Sequence, residues 1–146
     1  MDAGVWLIHA GADPDTIDWV MPRDSWLVNR VTTQPAPEFF NEAIGGQADQ
    51  MQAFAEATST ADLFLRLEAC GAVLRIHRDQ TPSMFHLATI TPGEIDVLRK
   101  IEHVIRKGRV QAIEADHLML EAGSEPMPAD ALYIDCTASA VAPRQL

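Results

Sequence analysis

The chain has 146 residues, of which 47% are hydrophobic and 22% are charged, and its net charge is -10. This composition indicates one soluble domain with a hydrophobic core, and the negative charge argues against nucleic-acid partners, whose phosphates must be neutralised by Lys and Arg. No apolar run approaches the ~20 residues that a membrane span needs, and no secretory signal pattern is visible, so we expect a cytoplasmic protein without membrane contact.

The N-terminal quarter is predicted to contain a helix and one short strand. Residues 2–12 have helical apolar periodicity. Its apolar face is expected to contain Val5, Trp6, Ile8 and His9. A turn at residues 13–15 precedes residues 16–21, which alternate like a buried strand ending before Pro22, and residues 22–37 are expected to be loop. Helix, turn and strand in this order form the second half of a βαβ unit.

The middle of the chain is predicted to be helical. Residues 38–58 have an apolar helical pattern that Gly45-Gly46 interrupts, and Ser59 starts an N-capped helix that ends near Cys70. A doubly wound fold needs only a short connection here. The stretch 38–70 is therefore interpreted as a helical insertion that covers a sheet edge or a ligand cleft.

The second half of the chain is predicted to be rich in strands. Residues 72–77 indicate a strand, residues 79–88 are irregular, and a capping box at residues 91–94 starts a helix. Later strands are expected at residues 104–107, 109–115, 117–121 and 131–136. A hairpin is expected around Ala115-Asp116 and a tail at residues 141–146. The alternation of helices and strands predicts an α/β layered structure.

No motif for catalysis or metal binding is visible in the sequence. Cys70 and Cys136 are far apart and form no CxxC, so they are expected to be buried free thiols. The histidines form neither HxxxH nor HxH, which argues against a zinc site. The glycines match neither GxGxxG nor the P-loop, and no GxSxG nucleophile motif is present.

Three segments carry a resemblance to a known family. They are residues 1–8 (MDAGVWLI), residues 17–30 (IDWVMPRDSWLVNR) and residues 130–139 (DALYIDCTAS). Together they resemble the flavin- and nicotinamide-dependent oxidoreductases with two dinucleotide-binding domains, a group that includes the flavin-containing monooxygenases. Residues 1–8 resemble part of the first helix of the nicotinamide-binding Rossmann unit, just after a glycine-rich turn. Residues 17–30 resemble the next strand of that unit and its loop. Residues 130–139 are similar to a late strand that usually ends in Ala-Thr-Gly, where this chain has Cys-Thr-Ala.

The resemblance implies a partial Rossmann-like, doubly wound α/β sheet that lacks its first strand and glycine loop. This incomplete NAD(P)-binding domain would cover residues 1–140, N-terminally truncated relative to the family. NADP and FAD are the implied cofactors. Without a glycine loop to receive a pyrophosphate, the chain alone is expected neither to retain them nor to be active, because hydride transfer is cofactor chemistry.

The resemblance also implies four cofactor-binding residues: Arg23, Arg30, Trp26 and Thr137. Arg23 directly follows the strand that reads the ribose, and an arginine there accommodates the 2′-phosphate of NADP. The alternative for Arg23 is a surface ion pair with Asp24 or Asp18. Trp26 is expected either to line an adenine pocket or to lie in the core.

A second hypothesis is a non-enzymatic α/β module that binds a nucleotide or pairs with a partner chain. A missing first strand would leave an open sheet edge, and open edges invite pairing with another chain or a second copy. This hypothesis predicts a homo-oligomer or a complex with another polypeptide. A small complete enzyme of another type is the weakest alternative, because the sequence places no nucleophile beside a base.

Overall fold

Within residues 1–137, which the computed structural model describes, the chain forms four α-helices and eight strands. The helices are α1 (Asp2–His9), α2 (Gly46–Glu56), α3 (Thr60–Ala69) and α4 (Pro92–Leu98). The strands are β1 (Trp19–Val20), β2 (Ser25–Asn29), β3 (Val73–Leu74), β4 (Met84–Ile90), β5 (Val104–Ile105), β6 (Val110–Ile113), β7 (His117–Leu120) and β8 (Gly123–Pro126). This mixture of helices and sheets confirms the predicted α/β class.

The strands lie in three small sheets instead of the single doubly wound sheet expected for these residues. Strand β1 pairs with β5 in parallel, β2 lies between antiparallel β3 and parallel β4, and β6, β7 and β8 form an antiparallel meander. Strands β3 and β4 form backbone hydrogen bonds with β2, so they do not extend the β1–β5 pair. That pair is short, with Trp19 opposite Val104.

The larger hydrophobic core lies where α1 and α4 meet the β1–β5 pair and β2. Its fully buried large side chains are Leu27, Leu98 and Ile101. Helix α1 packs against this core through Val5 and Ile8. A side chain at Gly4 would bring its Cβ to 3.0 Å from Leu98 Cδ2, so the absence of one allows α1 to approach α4 closely.

The second core lies on the other side of β2, beneath α2 and α3. Trp26 is only 4% exposed and belongs to one buried cluster with Ala53 of α2 and Leu67 of α3. Side chains of successive strand residues point to opposite faces, so Trp26 enters this core whereas Leu27 enters the first. The predicted helical insertion therefore covers one face of the β3-β2-β4 sheet.

Strands β2 and β4 lie where the sequence predicts a loop and an irregular segment. The apolar run Trp26-Leu27-Val28 is only three residues long and follows Pro22 closely, which makes its strand signal weak. In β4, Leu87 has a φ of 59° beside a register shift against β2. Such a bulge breaks the alternation by which a strand is recognised.

Local signals at helix ends and turns are confirmed. Thr91 and Glu94 form the predicted capping box of α4, and Ser59 caps α3 through the backbone N–H of Asp62. Strands β6 and β7 form the predicted hairpin around Ala115-Asp116. The predicted break or kink at Gly45-Gly46 is not a break, because both glycines have right-handed helical backbone angles and a π-helical turn (Asn41–Gly45) continues directly into α2.

Three expectations about the surface are wrong. Residues 131–136 form no strand, and Leu132 is 86% exposed, because the segment has no pairing partner within residues 1–137. Cys136 is exposed and Cys70 is half-buried, so neither thiol is fully buried. On α1, the sequence predicts that Trp6 lies on the apolar face, but Trp6 is 68% exposed, because only part of that face, including Val5 and Ile8, packs on the core.

Across the described residues, no helix combines the length and hydropathy of a membrane span.

Truncation of Leu98 tests the packing of α1 and α4. Leu98 is 0% exposed, so Leu98→Ala removes buried methyl groups and leaves a cavity. We expect the free energy of unfolding in urea to fall by roughly 2–5 kcal/mol. The control is Leu65→Ala on α3, where the side chain is 48% exposed and the expected change is about 0.5 kcal/mol or less. Equal losses in the two variants would contradict this description of the core.

Candidate functional site

The two parallel strands β1 and β5 end at the same edge of their sheet, and an arginine follows each of them. The backbone N–H of Met21 donates to the carbonyl of Ile105 at 3.0 Å, which extends the pair by one step. Arg106 then follows β5 directly, and Arg23 follows the end of β1 within a bend. Ligands of open α/β sheets bind outside the carboxyl ends of parallel strands. This edge is therefore the candidate site.

An ion pair between Asp24 and Arg106 ties the two strand ends together. The guanidinium donates from Nε to Oδ2 at 2.9 Å and from Nη2 to Oδ1 at 3.2 Å, a two-point contact that raises the pKa of Arg106. Asp18 is the other candidate partner of Arg23, and its Oδ1 lies 3.5 Å from Nδ1 of His103. Arg23 is exposed and has no acidic partner within residues 1–137, so its predicted surface ion pair is not formed.

His77 lies beside this ion pair in the segment after β3. Its ring centroid is 6.4 Å from that of Trp19 in β1, and its Nε2 is buried without a hydrogen-bond partner. Burial lowers the pKa of His77, and the positive charge of Arg106 lowers it further, against the opposing effects of Asp24 and Asp79. The imidazole is therefore neutral at physiological pH.

A shallow, open recess of about 380 Å³ lies next to His77. It is lined by Ile76, His77, Arg78, Asp79 and Arg99. The guanidinium of Arg99 is occupied, because Nε donates to the carbonyl of Ile76 at 2.6 Å and Nη1 pairs with Asp96 at 3.1 Å. Arg78 is exposed and, among the described residues, has no acidic partner. The recess therefore presents one cation that is available to a ligand.

Arg30 is bound within the fold, away from the carboxyl ends of β1 and β5. Its Nη1 contacts Glu94 Oε1 at 3.2 Å, and its Nη2 donates to the carbonyl of Thr89 at 3.2 Å. Glu94 also accepts the backbone N–H of Thr91, which is the main reason that its pKa is lowered. Arg30 thus connects the end of β2 to the start of α4, and a phosphate would have to displace these contacts.

Trp26 lies in the core, which is the second of the two alternatives that the sequence leaves open. Its ring stacks on Phe64, with centroids 5.5 Å apart and an interplanar angle of 11°. The guanidinium of Arg75 covers the ring at 5.0 Å from its centroid. No face of this indole is left to line an adenine pocket.

Among the four residues that the resemblance implies as cofactor contacts, Arg23 is the one that presents an exposed guanidinium without an acidic partner within residues 1–137. Thr137 is exposed, but its backbone N–H and hydroxyl both donate to Asp135 Oδ1, at 2.8 and 2.6 Å. Residues 138 and 139 of the third family-like segment lie outside the described residues. Within the described residues, no three His, Cys, Asp or Glu side chains are grouped so as to hold a metal ion.

Sequence reasoning identifies Arg23 and names Asp24 as its possible ion-pair partner, but it misses His77 and Arg106, which the structure places near Asp24. Arg106 follows the apolar residues of a predicted strand, and His77 ends another. Basic residues at the ends of predicted strands were the available signal. Which strand ends meet depends on the parallel pairing of β1 with β5, and that pairing is not encoded in any local pattern.

The lowered pKa of His77 predicts a pH dependence of stability. Below about pH 6.5 the histidine of the unfolded chain binds a proton that the folded chain resists, so the unfolding free energy falls as the pH drops from 7 to 5. The slope for one proton is at most about 1.4 kcal/mol per pH unit. In urea unfolding, the unfolding free energy of His77→Phe should change less with pH than that of the original chain. The control His86→Phe replaces an exposed histidine and should show the same pH dependence as the original chain. Identical slopes in all three proteins would refute the assignment.

Comparison with known proteins finds long relatives without an assigned role. The uncharacterized proteins Rv2000 of Mycobacterium tuberculosis and Mb2023 of Mycobacterium bovis are each 45% identical to this chain over 138 residues. The match covers 94% of this chain and 26% of each relative. The chain therefore spans about a quarter of the length of the curated relatives it matches. No protein-family model matches the chain, and no solved structure matches it.

Proposed function

We propose that this chain is part of the NAD(P)H-binding region of a flavin- and nicotinamide-dependent oxidoreductase. One observation carries the proposal: Arg23 is exposed, lacks an acidic partner within residues 1–137, and follows β1 at the carboxyl end of a parallel strand pair. An arginine in this position accommodates the 2′-phosphate of NADP. The three family-like sequence segments support the same proposal.

In this proposal the chain positions a cofactor and performs no chemistry itself. NADPH and FAD, when bound, would supply the hydride-transfer chemistry, and polypeptide outside the described residues would hold most of both cofactors. Arg23 contacts the 2′-phosphate, and the Asp24–Arg106 pair holds the neighbouring backbone at the strand ends. The β1–β5 pair, in this proposal, is one portion of a Rossmann-like sheet that further polypeptide completes. This is consistent with the much greater length of the relatives.

Binding of NADP to the 146-residue chain tests the proposed role of Arg23. We expect millimolar NADP to perturb backbone amides near residues 19–24 in ¹⁵N NMR spectra and to raise the melting temperature, with a smaller effect of NAD and none of FAD. Arg23→Gln should remove the difference between NADP and NAD, because only NADP carries the 2′-phosphate. The control Arg109→Gln changes another exposed arginine, at the start of the β6–β8 meander, and should preserve the difference between NADP and NAD.

The same experiment has a clear negative outcome. If NADP and NAD act equally on the unaltered chain, or if neither acts, Arg23 does not read a 2′-phosphate here and the proposal fails for this chain. No NADPH oxidation by the chain alone is expected in either case, so activity does not decide the matter.

A second candidate function, a module that pairs with another polypeptide, is favoured by exposed apolar side chains on one side of the helical insertion. They are Phe40, Ile44, Met51 and Phe54, which are 62%, 51%, 65% and 54% exposed. Met51 and Phe54 are three residues apart and share one flank of α2, and Phe40 and Ile44 lie in the helical turns that lead directly into it. Clustered exposed apolar residues mark interaction surfaces.

Replacement of two residues on this flank tests the second candidate. The variant Ile44→Gln with Met51→Gln should unfold at nearly the same urea concentration as the original chain, because both side chains are largely exposed. If the flank mediates self-association, light scattering over a series of protein concentrations should show oligomers of the original chain and monomers of the variant. Two monomeric proteins would exclude a homo-oligomer formed through this flank.

A further inference from the structure

An open groove of about 550 Å³, called here the β5 groove, runs along β5. Six consecutive residues, 102–107, line it together with residues 125–127 at the end of β8, whereas neither residue of β1 does. A sheet face presents alternate residues of a strand, because successive side chains point to opposite faces. Consecutive lining residues indicate an edge instead. The β5 groove therefore lies along the edge of β5 that faces away from β1.

Backbone groups on this edge of β5 are available for pairing with another strand. The carbonyls of His103 and Ile105 accept backbone N–H groups from β1 and from the residue after it, at 2.8 and 3.0 Å. Backbone groups of successive strand residues point to opposite sides, so Val104 and Arg106 direct theirs away from β1. In the described part of the chain, the backbone N–H and C=O of Arg106 form no backbone hydrogen bond. A strand edge of this kind is a template for a further strand.

Lys107 closes one end of the β5 groove. Its carbonyl accepts the backbone N–H of Ala122 at 3.0 Å, and its Nζ lies 2.7 Å from Oε1 of Glu125, so the β6–β8 meander is attached at this residue. Residues 102–106 remain open, and they span about 16 Å at about 3.3 Å per residue. The groove therefore has room for one strand of about five residues, which is a common strand length.

The charge that the groove leaves available is negative. Both of its Lys and Arg side chains are occupied, because Arg106 pairs with Asp24 and Lys107 pairs with Glu125. Glu102 is exposed and has no basic partner among the described residues. Complementary charges select partners at interfaces, so this groove favours a strand that carries Lys or Arg.

Two further features favour a basic partner. Asp18 adds a second carboxylate to the groove, where its Oδ1 lies 3.5 Å from Nδ1 of His103. The whole chain carries a net charge of -10, so a second copy of it would be repelled. A separate stretch of polypeptide with positive charge is the better complement.

The longer relatives contain polypeptide that can supply such a strand. The match covers 94% of this chain but only 26% of each relative, so most of each relative lies outside the matched region. We propose that an extended segment of such additional polypeptide, carrying Lys or Arg, adds to the β5 edge as a third strand and places its cation at Glu102. The inference rests on the proposed function in one respect, because it names the edge at which further polypeptide completes the β1–β5 sheet.

Peptides from a relative test this proposal on the full 146-residue chain. Overlapping peptides that cover the part of Rv2000 outside the match are probed with the labelled chain, and the peptide that binds is titrated in solution. We expect it to contain Lys or Arg and to slow hydrogen exchange of the Arg106 backbone amide at least about tenfold, because that N–H becomes bonded in the new ladder.

Charge reversal tests the role of Glu102. The variant Glu102→Lys should weaken binding of the same peptide about tenfold, because it places like charges together. The control Glu38→Lys reverses another exposed carboxylate without a basic partner among the described residues, and it should bind as the original chain does. Circular dichroism verifies that both variants are folded.

Four results would overturn the proposal. They are the absence of any binding peptide, binding that leaves exchange at Arg106 unchanged, binding that Glu102→Lys does not weaken, and slowed exchange at Arg106 when the chain is concentrated without peptide. The last result would assign the edge to a second copy. Titration of the same sample with NADP separates the two proposals: NADP binding without peptide binding leaves only the proposed function, and peptide binding without NADP binding leaves only the strand pairing at β5.

Discussion

The architecture depends on strand β2, which is buried on both faces. Leu27 enters the core formed with α1 and α4, while its neighbour Trp26 enters the core beneath α2 and α3. Burial on both faces is stabilising only if apolar side chains occupy successive positions, as they do in Trp26-Leu27-Val28. The strand therefore connects the helical insertion to the rest of the domain, and it holds the chain before it, including Arg23 and Asp24, at the end of β1.

Pairing of charges distinguishes the arginines that maintain the fold from those that are available to a ligand. Arg75 pairs with Glu68, which lies 7 residues earlier in α3, and Arg30 pairs with Glu94, which lies 64 residues later at the start of α4. Arg106 pairs with Asp24 and thereby fixes the ends of β1 and β5. These contacts fix the positions of the segments that they join. Among the described residues, Arg23, Arg78 and Arg109 are exposed and have no acidic partner.

Patterns that act within one turn of chain were predictable, whereas pairings between distant segments were not. The capping box of Thr91 and Glu94 and the cap at Ser59 are formed by side chains and N–H groups three residues apart, so their residues suffice to predict them. Strand β4 contains a bulge at Leu87, where φ is 59°. The bulge interrupts the alternation of apolar and polar residues, so the sequence pattern does not predict this strand. Residues 131–136 have the composition of a strand but have no neighbour to pair with in the described chain.

The sequence by itself determined the α/β class, the helix caps, the β6–β7 hairpin and the position of Arg23 after a strand, because each depends on residues close together in the chain. Only the tertiary structure decided which arginines are occupied. Arg30 and Arg23 are both candidate phosphate ligands in the sequence, yet the fold places Arg30 on Glu94. The parallel pairing of β1 with β5 gives Asp24 to Arg106, and Arg23 is left without that partner. A guanidinium binds the carboxylate that the fold brings within reach, and no local pattern specifies that distance.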